Sequence, residues 1–519
     1  MKFPAQAMWP LAWIRQSQDP DRKRIGSEIF HKAVHALKEK TGSKSYNLLR
    51  TSTIVLDYLY EVAISKTNTH SLKCKVKPLS REANLLEFVP PIQSALSISL
   101  TSGDTGRTRD VFPRYIPRMR EIDPAVHIMP SKARPKKIRI HMVSSEGASR
   151  IASCSKPGDV DVGELHFLLK QEVRGDLRKD ARVQDLNCVV NRIMASSNDT
   201  RGGMVKKLRL QTFTVTCLSE NTGLVEWIPQ TASLRNCIAH SENDLVGENV
   251  PNRDGNSVVD LRDQSFRTEI ESFQKMYANG EGQAAKEKFL QFREKYPPVL
   301  YWWFIANFKN PHAWYEARTR FTMSTVAWSA IGHVIGLGDR HTENILVVQN
   351  SGECVHVDFD CIFDKGLTLP KPELVPFRLT QNLIDAFGPT GADGVFSSHL
   401  KTAMGALRKN RDTILANLEP FLKDPIINWR RSRGQQRRPE RDSLVEAKRQ
   451  MAVIEERLLG HYNVRLPKKR SASSMDVDDN DGKHHSIPLS VEGQVHKMIA
   501  EATDPENLLQ LYYGWLAWA

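Results

Sequence analysis

Apolar positions near the start of the chain recur at three- and four-residue intervals. In SEIFHKAVHALKEK, Ile29, Phe30, Ala33, Val34 and Leu37 share one helix face. Leu48 to Ile64 and Ala83 to Leu100 repeat the pattern between polar turns, so residues 1–120 read as helical. From about Asp123 short β-branched runs take over (Ile138 to Met142, Leu165 to Leu169, Phe213 to Leu218, Leu224 to Ile228), and they predict a small antiparallel sheet. Helical spacing returns from Gln264 to Ile335, followed by a hairpin signal and further helices to about Trp429. Residues 430–443 and 465–486 are poor in apolar side chains and read as solvated linkers around one helix, Leu444 to Leu459. The last 33 residues regain an apolar face, with Val491, Val495, Met498 and Ile499 at helical spacing before Tyr512, Tyr513, Trp515 and Trp518. That face is expected to dock onto the rest of the chain.

Composition narrows the class. At 519 residues the chain needs more than one core, and 40% hydrophobic with 26% charged residues excludes wholesale disorder. No apolar run reaches the roughly 18 to 20 residues that cross a bilayer, and the N-terminus lacks a cleavage-site pattern, so a soluble chain without membrane contact is expected. Seven scattered cysteines fit no metal or disulfide spacing and read as reduced thiols of an intracellular protein. The net charge is +13, of which +5 sits between Arg430 and Arg441. This permits acidic partners, nucleic acid included, without requiring one.

The densest chemistry lies in GLGDRHTENILVVQNSGECVHVDFD, Gly336 to Asp360. Phosphoryl transfer needs a carboxylate to orient and deprotonate a hydroxyl, and oxygen ligands to hold Mg²⁺ on the phosphates. Protein kinases space these groups as Asp, Asn five positions on, then a DFG-type Asp. Asp339 and Asn344 have that interval and Asp358 opens a DFD, with His341 after the aspartate instead of before it. Strand-like Ile345 to Val348 and Val355 to Phe359 flank Asn350-Ser351-Gly352. A hairpin centred on Ser351 would set Asn344 opposite Asp358, converging on one cation.

GLGDRHTENIL with HVDFD resembles the phosphatidylinositol 3-kinase-related protein kinases, and PELVPFRLTQNLIDAFGPTG looks most like their ATR-type DNA-damage-checkpoint branch. RPKKI (Arg134 to Ile138) and DLRKD (Asp176 to Asp180) fit too. LSVEGQVHKMIAEATDPENLLQLYYGW resembles the FATC tail of that family, and QAMWPLAWIRQS the end of its FAT region. The resemblance implies an α+β, bilobal kinase fold with an antiparallel-sheet N-lobe and a helical C-lobe. It implies a helical FAT end over 1–120, a catalytic domain over 121–430, a charged linker with one helix over 431–486 and FATC over 487–519. Relatives are several times longer, so a C-terminal part or a truncated gene model is expected.

The same resemblance implies roles. Asp339 is similar to the catalytic base, His341 to the imidazole that steadies the moving phosphoryl group, and Asn344 and Asp358 to the magnesium ligands. Ser131 resembles a phosphate-loop serine, Lys170 the lysine that pairs with ATP phosphates, and Asp180 the acidic residue of the inner pocket. Trp227 resembles the hinge aromatic that packs on adenine, with Val225 and Glu226 offering backbone hydrogen bonds. By pattern alone Trp227 reads as a core residue and Lys170 as a strand-end surface lysine. Two departures stand out: five residues, Gln171 to Gly175, where the family has three, and a GWLAWA ending.

ATP and Mg²⁺ (or Mn²⁺) are the implied cofactors, and proteins bearing Ser/Thr-Gln sites the implied substrates. A regulatory subunit on the preceding region, DNA engaged through partners and nuclear localisation are implied too, the last aided by Lys468-Lys469-Arg470. The rivals are another kinase of the same family, a phosphatidylinositol lipid kinase and an inactive scaffold. Cys361 to Val375 carries Lys365 and Lys371 against Asp364 and Glu373, a net charge of zero, which disfavours an anionic head group. Retention of Asp339, Asn344 and Asp358 disfavours the scaffold.

Overall fold

The computed structural model describes residues 14–17, 19–40, 44–65, 72–79, 85–87, 90–91, 118–129, 133–143, 163–172, 177–197, 208–246, 258–423, 440–461, 488–512 and 515. Two compact units result, Met1–Asp185 with Thr212–Pro229 and Leu186–Gln211 with Gln230–Ala519.

The first unit opens with helices α1 (Pro20–Lys40) and α2 (Lys44–Ile64). The expected helix from Ala83 to Leu100 lies largely outside the described residues, which hold a short turn at Leu85–Glu87 there. A seven-stranded sheet follows, from β1 (Lys73–Lys75), β2 (Arg118–Ile122), β3 (Ala125–Ile128), β4 (Lys136–Val143), β5 (Gly163–Gln171), β6 (Val215–Cys217) and β7 (Thr222–Glu226). Its order is β1-β3-β4-β5-β7-β6, with β2 also on β4, and its pairs are antiparallel. The four runs read as strands in the sequence are β4, β5, β6 and β7, each shifted by one or two residues at its ends.

One face of α2 packs on this sheet. Leu49, Val55, Leu56, Leu59 and Val62, at helical spacing, share a core with Ile138, Ile140 and Met142 of β4 and Phe167 and Leu169 of β5. Strand alternation puts a fourth β4 residue on the same side, Lys136, and it too is buried. Its ammonium survives there because α2 ends within reach. Lys136 Nζ donates to the carbonyls of Val62 (2.9 Å), Ala63 (2.7 Å) and Ser65 (2.7 Å), acceptors that a helix C-terminus leaves unpaired. Burial nevertheless lowers the Lys136 pKa.

Helix α3 (Leu177–Ser197) leads from the first unit into the second. The sequence reading passed over it, although Leu177, Val183, Leu186, Val190 and Met194 carry the three-to-four spacing and are buried. The second unit continues with β8 (Thr231–Ser233) and the helices α4 (Leu234–Val246), α5 (Val258–Ala278), α6 (Gly282–Lys295), α7 (Leu300–Asn307) and α8 (Pro311–Ile335). After them come β9 (Ile345–Val348), β10 (Cys354–His356), α9 (Gln381–Ala386), α10 (Ser397–Lys409), α11 (Arg411–Lys423), α12 (Glu440–Leu459), α13 (Val491–Thr503) and α14 (Pro505–Leu509). Strands β8, β9 and β10 form a small antiparallel sheet in the order β10-β9-β8.

Helix α8 is the axis of this unit. Asn310 caps it, accepting from the N–H groups of His312 and Ala313, and its residues from Phe321 to Ile335 are all buried. Trp328 on α8 stacks on His356 of β10 (centroids 4.6 Å apart, 6° between planes), and its indole N–H donates to Cys354 O at 3.2 Å. The expected docking of the chain's end is observed. Val495, Met498, Ile499 and Ala502 of α13 are buried, α13 packs on α10 and α14 on α6, and Gln274 of α5 donates to the carbonyls of Leu509 (2.9 Å) and Leu511 (2.7 Å).

The Lys136 cap is testable. Lys136→Met keeps the stem but strands three carbonyls, two of them on buried residues, and should lower the stability of the first unit by about 3 kcal/mol. Urea unfolding of the variant measures this, and a change under about 1 kcal/mol would show that water satisfies those carbonyls instead.

Candidate active site

The loop that carries the candidate catalytic residues begins where α8 stops. Gly336 ends the helix in the left-handed conformation (φ 60°), and a Cβ there would lie 2.4 Å from Asp364 Oδ1. Three residues on, Asp339 also adopts a positive φ of 59°, a conformation aspartate tolerates better than most. Both backbone groups of Asp339 are held. Its N–H donates to Glu373 Oε2 at 2.7 Å, and its carbonyl accepts from Asn344 Nδ2 at 2.9 Å. The second bond fixes the orientation of the Asn344 amide.

His341 is half-buried, and burial lowers its pKa, so the ring is neutral at pH 7. Its Nδ1 accepts from the Glu343 N–H at 3.3 Å, which assigns the proton to Nε2. That Nε2–H lies 4.0 Å from Asp339 Oδ1, too far for a hydrogen bond.

The hairpin register departs from expectation by one residue. Val347 pairs with Cys354, Leu346 with Val355 and Ile345 with His356, and the Val357 N–H donates to Asn344 O at 3.0 Å. The partner of Asn344 is therefore Val357, not Asp358. The reason is turn length. Val348 N–H bonds to Glu353 O (2.9 Å), so Gln349 to Gly352 form a four-residue turn, with Gly352 at φ 76° as its glycine suggested. Asp358 follows β10 in a left-handed conformation, φ 61°.

Arg340 ties these pieces together. Its guanidinium, 2% exposed, donates to the carbonyls of Gly338 (2.9 Å) and Val357 (2.8 Å) and to Asp358 O. Loop and hairpin end are pinned by one side chain. Among the described residues no group of three His, Cys, Asp or Glu side chains could hold a metal. A pair of oxygens, Asn344 Oδ1 and the Asp358 carboxylate, suits Mg²⁺, which keeps waters and takes phosphate oxygens for its other positions.

The remaining sequence-derived residues fall in the first unit. Lys170 of β5 lies opposite Gly223, and its Nζ is 2.5 Å from Glu172 Oε1. Asp180 sits half-buried in the first turn of α3. Val225 on β7 is flanked by Leu168 and Val215, and the N–H groups of Glu226 and Trp227 donate to Thr214 O (2.8 Å) and His166 O (3.0 Å). Trp227 is half-buried, with Lys137 Nζ 4.0 Å from its ring centroid. Ser131 lies outside the described residues.

Residues 166–431 match the sequence profile of phosphatidylinositol 3- and 4-kinases, and residues 488–519 that of the FATC domain. The chain belongs to the phosphatidylinositol 3- and 4-kinase family. Its FATC segment and its relatives place it in the kinase-related branch. It is 32% identical to a serine/threonine-protein kinase ATR of Oryza sativa subsp. indica over 532 aligned positions, covering 100% of this chain and 17% of that protein. Protein kinase rad3 of Schizosaccharomyces pombe is 31% identical, over 99% of this chain and 19% of its own length. The chain thus spans under a fifth of these relatives. The open conformation of CtTel1 superposes with a TM-score of 0.71 at 24% identity, covering 99% of this chain and 17% of that one. The likeness establishes the fold.

Four residues of this kinase-family site escaped the sequence reading: Arg340, Glu373, Arg378 and Trp515 in its specific role. The available signal was charge inside apolar surroundings, as in VPFRLT around Arg378, which is 3% exposed. Burial pushes Glu373 up to about 7, helped by the nearby Asp339 carboxylate and opposed by the N–H groups of Asp339 and Trp515 and by Arg340.

A carboxyl whose folded pKa lies above its unfolded value binds an extra proton in the folded state at intermediate pH. Its stabilising contribution is complete below about 4.5 and disappears as pH rises through about 7. Relative to Glu373→Gln, which does not titrate, the wild type should lose up to about 3 kcal/mol between pH 5 and 8. Urea unfolding of both proteins across that range measures the difference, and a pH-independent gap would refute the raised value.

Proposed function

We propose that the chain carries a serine/threonine protein kinase activity, transferring the γ-phosphate of ATP to Ser or Thr followed by Gln in DNA-damage-response and replication-checkpoint proteins of the nucleus. The observation that carries this reading is the loop in which Asp339, His341 and Asn344 are fixed beside the Asp358 end of the hairpin. The names of the relatives, ATR and rad3 kinases, support the substrate class. A regulatory subunit bound by the part of the relatives that the alignment does not cover, and DNA reached through partners, complete the proposal. The division into a FAT end (1–120), catalytic domain (121–430), linker (431–486) and FATC (487–519) belongs to it as well.

Bound Mg·ATP would supply the phosphoryl group and the cation that neutralises its oxygens. The protein supplies the rest. The Asp339 carboxylate, half exposed on a backbone held at both ends, accepts the proton of the substrate hydroxyl. Neutral His341 offers its Nε2–H to an anionic oxygen without surrendering a proton. Asn344 and Asp358 would hold the cation. Ser131, Lys170 and Asp180 serve the phosphates and inner pocket, and Val225, Glu226 and Trp227 the adenine.

Lipid phosphorylation is the second reading, and charge disfavours it. Both lysines between Cys361 and Val375 are already engaged: Lys365 with Asp360 at 2.5 Å, Lys371 with Gln274 Oε1. Lys365 is neutralised by a carboxylate, and the segment's net charge of zero leaves little to attract an anionic head group.

The test offers a Ser-Gln peptide and phosphoinositide vesicles, side by side, to the wild type, Asp339→Asn and Asp358→Ala. Peptide phosphorylation by the wild type is expected, lost at least about 100-fold in Asp339→Asn with ATP binding retained. Asp358→Ala should weaken Mg·ATP binding itself. Lipid phosphorylation without peptide phosphorylation would reverse the assignment, and a residual rate above a few per cent in Asp339→Asn would remove the base.

A further inference from the structure

The FATC segment reaches the catalytic loop through one side chain. Trp515, 2% exposed, donates its indole N–H to Glu373 Oε1 at 2.8 Å, while the other carboxylate oxygen, Oε2, accepts the Asp339 N–H at 2.7 Å. A second tie runs alongside. Arg378 donates to Trp515 O at 2.6 Å and to Arg340 O at 3.4 Å, and its guanidinium carbon lies 5.4 Å from the indole centroid. The segment that closes the chain therefore bonds, through two intermediaries, to two consecutive residues of the loop.

The surroundings are shaped to admit the Glu373 carboxylate. A Cβ on Gly338 would stand 2.6 Å from Glu373 Oε2, and one on Gly366 would stand 2.7 Å from the same atom. Neither glycine has a positive φ, so space and not backbone conformation requires them. Two glycines from separate segments clear room for one oxygen.

The geometry points to Glu373 as a positioning residue that couples the seating of Trp515 to the backbone of the catalytic Asp339. The inference deepens the proposed kinase function and rests on it. A carboxylate presents two acceptors to two donors. An amide presents one acceptor and one donor, so Glu373→Gln must set its NH₂ against either the Asp339 N–H or the Trp515 N–H. Removing the indole donor relieves that conflict. In the double variant Glu373→Gln with Trp515→Phe, the glutamine can turn its oxygen to Asp339 and its NH₂ toward an aromatic ring. The second substitution is expected to repair the first.

The experiment measures kcat and KM for ATP and a Ser-Gln peptide in the full chain, with hydrogen exchange of the 338–341 backbone read on the same proteins. Glu373→Gln should lower kcat about 30-fold with the KM for ATP within about twofold, and Trp515→Phe should lower kcat about threefold. The double variant should return to the level of Trp515→Phe, and the exchange of the Asp339 amide should rise in Glu373→Gln and fall back in the double. A double variant whose losses multiply, or an Asp339 amide indifferent to Glu373→Gln, overturns the coupling. If the wild type phosphorylates no peptide, the kinase reading fails while amide exchange still decides the coupling. If Glu373→Gln does not fold, Trp515→Phe decides alone: unchanged kcat and unchanged Asp339 exchange would refute the proposal.

Discussion

A guanidinium removed from water must find acceptors, and Arg340 finds three in the carbonyls of Gly338, Val357 and Asp358. It cannot shed its charge, although burial lowers its pKa, because even a depressed guanidinium stays protonated at pH 7. The loop bearing Asp339 and the strand end bearing Asp358 are consequently fixed to one rigid fork. Replacing Arg340 would take the shared donor from all three carbonyls and loosen the two segments from each other. Geometry in this site is set by a charge that has nowhere else to go.

The surrounding backbone records the same constraint. Asp339, Asp358, Phe363 and Asp364 all have positive φ without being glycine, and such positions cost about 1 to 3 kcal/mol where nothing compensates. Here each is over-determined. The Phe363 N–H bonds to Ile335 O and the Asp364 N–H to Gly336 O, at the end of α8, and Arg457 of α12 holds the Asp364 carboxylate at 2.7 Å. Helix α8 is buried along its last four turns, so this scaffold has little freedom to relax. The strain sits where the chemistry is proposed, and a rigid helix bears it.

Periodicity was a sound guide to this fold where one face of an element is buried, and a poor one elsewhere. Helix α2, strands β4 and β5 and helix α13 announce themselves through alternation because their second faces meet water. Helix α3 carries the same spacing but was hidden behind an expectation of strands. The hairpin shows a subtler limit. Its existence and its glycine follow from NSG, yet a turn of four residues in place of three moves the partner of Asn344 from Asp358 to Val357. Hydrophobic pattern could not decide that, since Ile345 to Val348 is apolar on both faces and tolerates either register. The motif residues themselves were legible because phosphoryl transfer demands particular atoms at particular spacings. Arg340, Glu373 and Arg378 were not, because they act on backbone groups, and a backbone acceptor leaves no mark in the sequence.

That difference bears on why so much buried charge persists here. Glu373, Arg340 and Arg378 are each under a tenth exposed, and burial shifts all three toward their neutral forms, Arg378 to about 9. An apolar trio of similar volume would avoid those desolvation penalties and could stabilise the unit. It could not hold N–H and C=O groups in left-handed conformations, because dispersion has no direction, whereas a hydrogen bond to a fixed charge does. The network therefore trades stability for the orientation of one carboxylate. Trp515 extends it to the last segment of the chain, through two bonds that no apolar contact could replace. The loop that bears Asp339 and the FATC segment share one hydrogen-bonded network, which joins residues more than 170 positions apart in sequence.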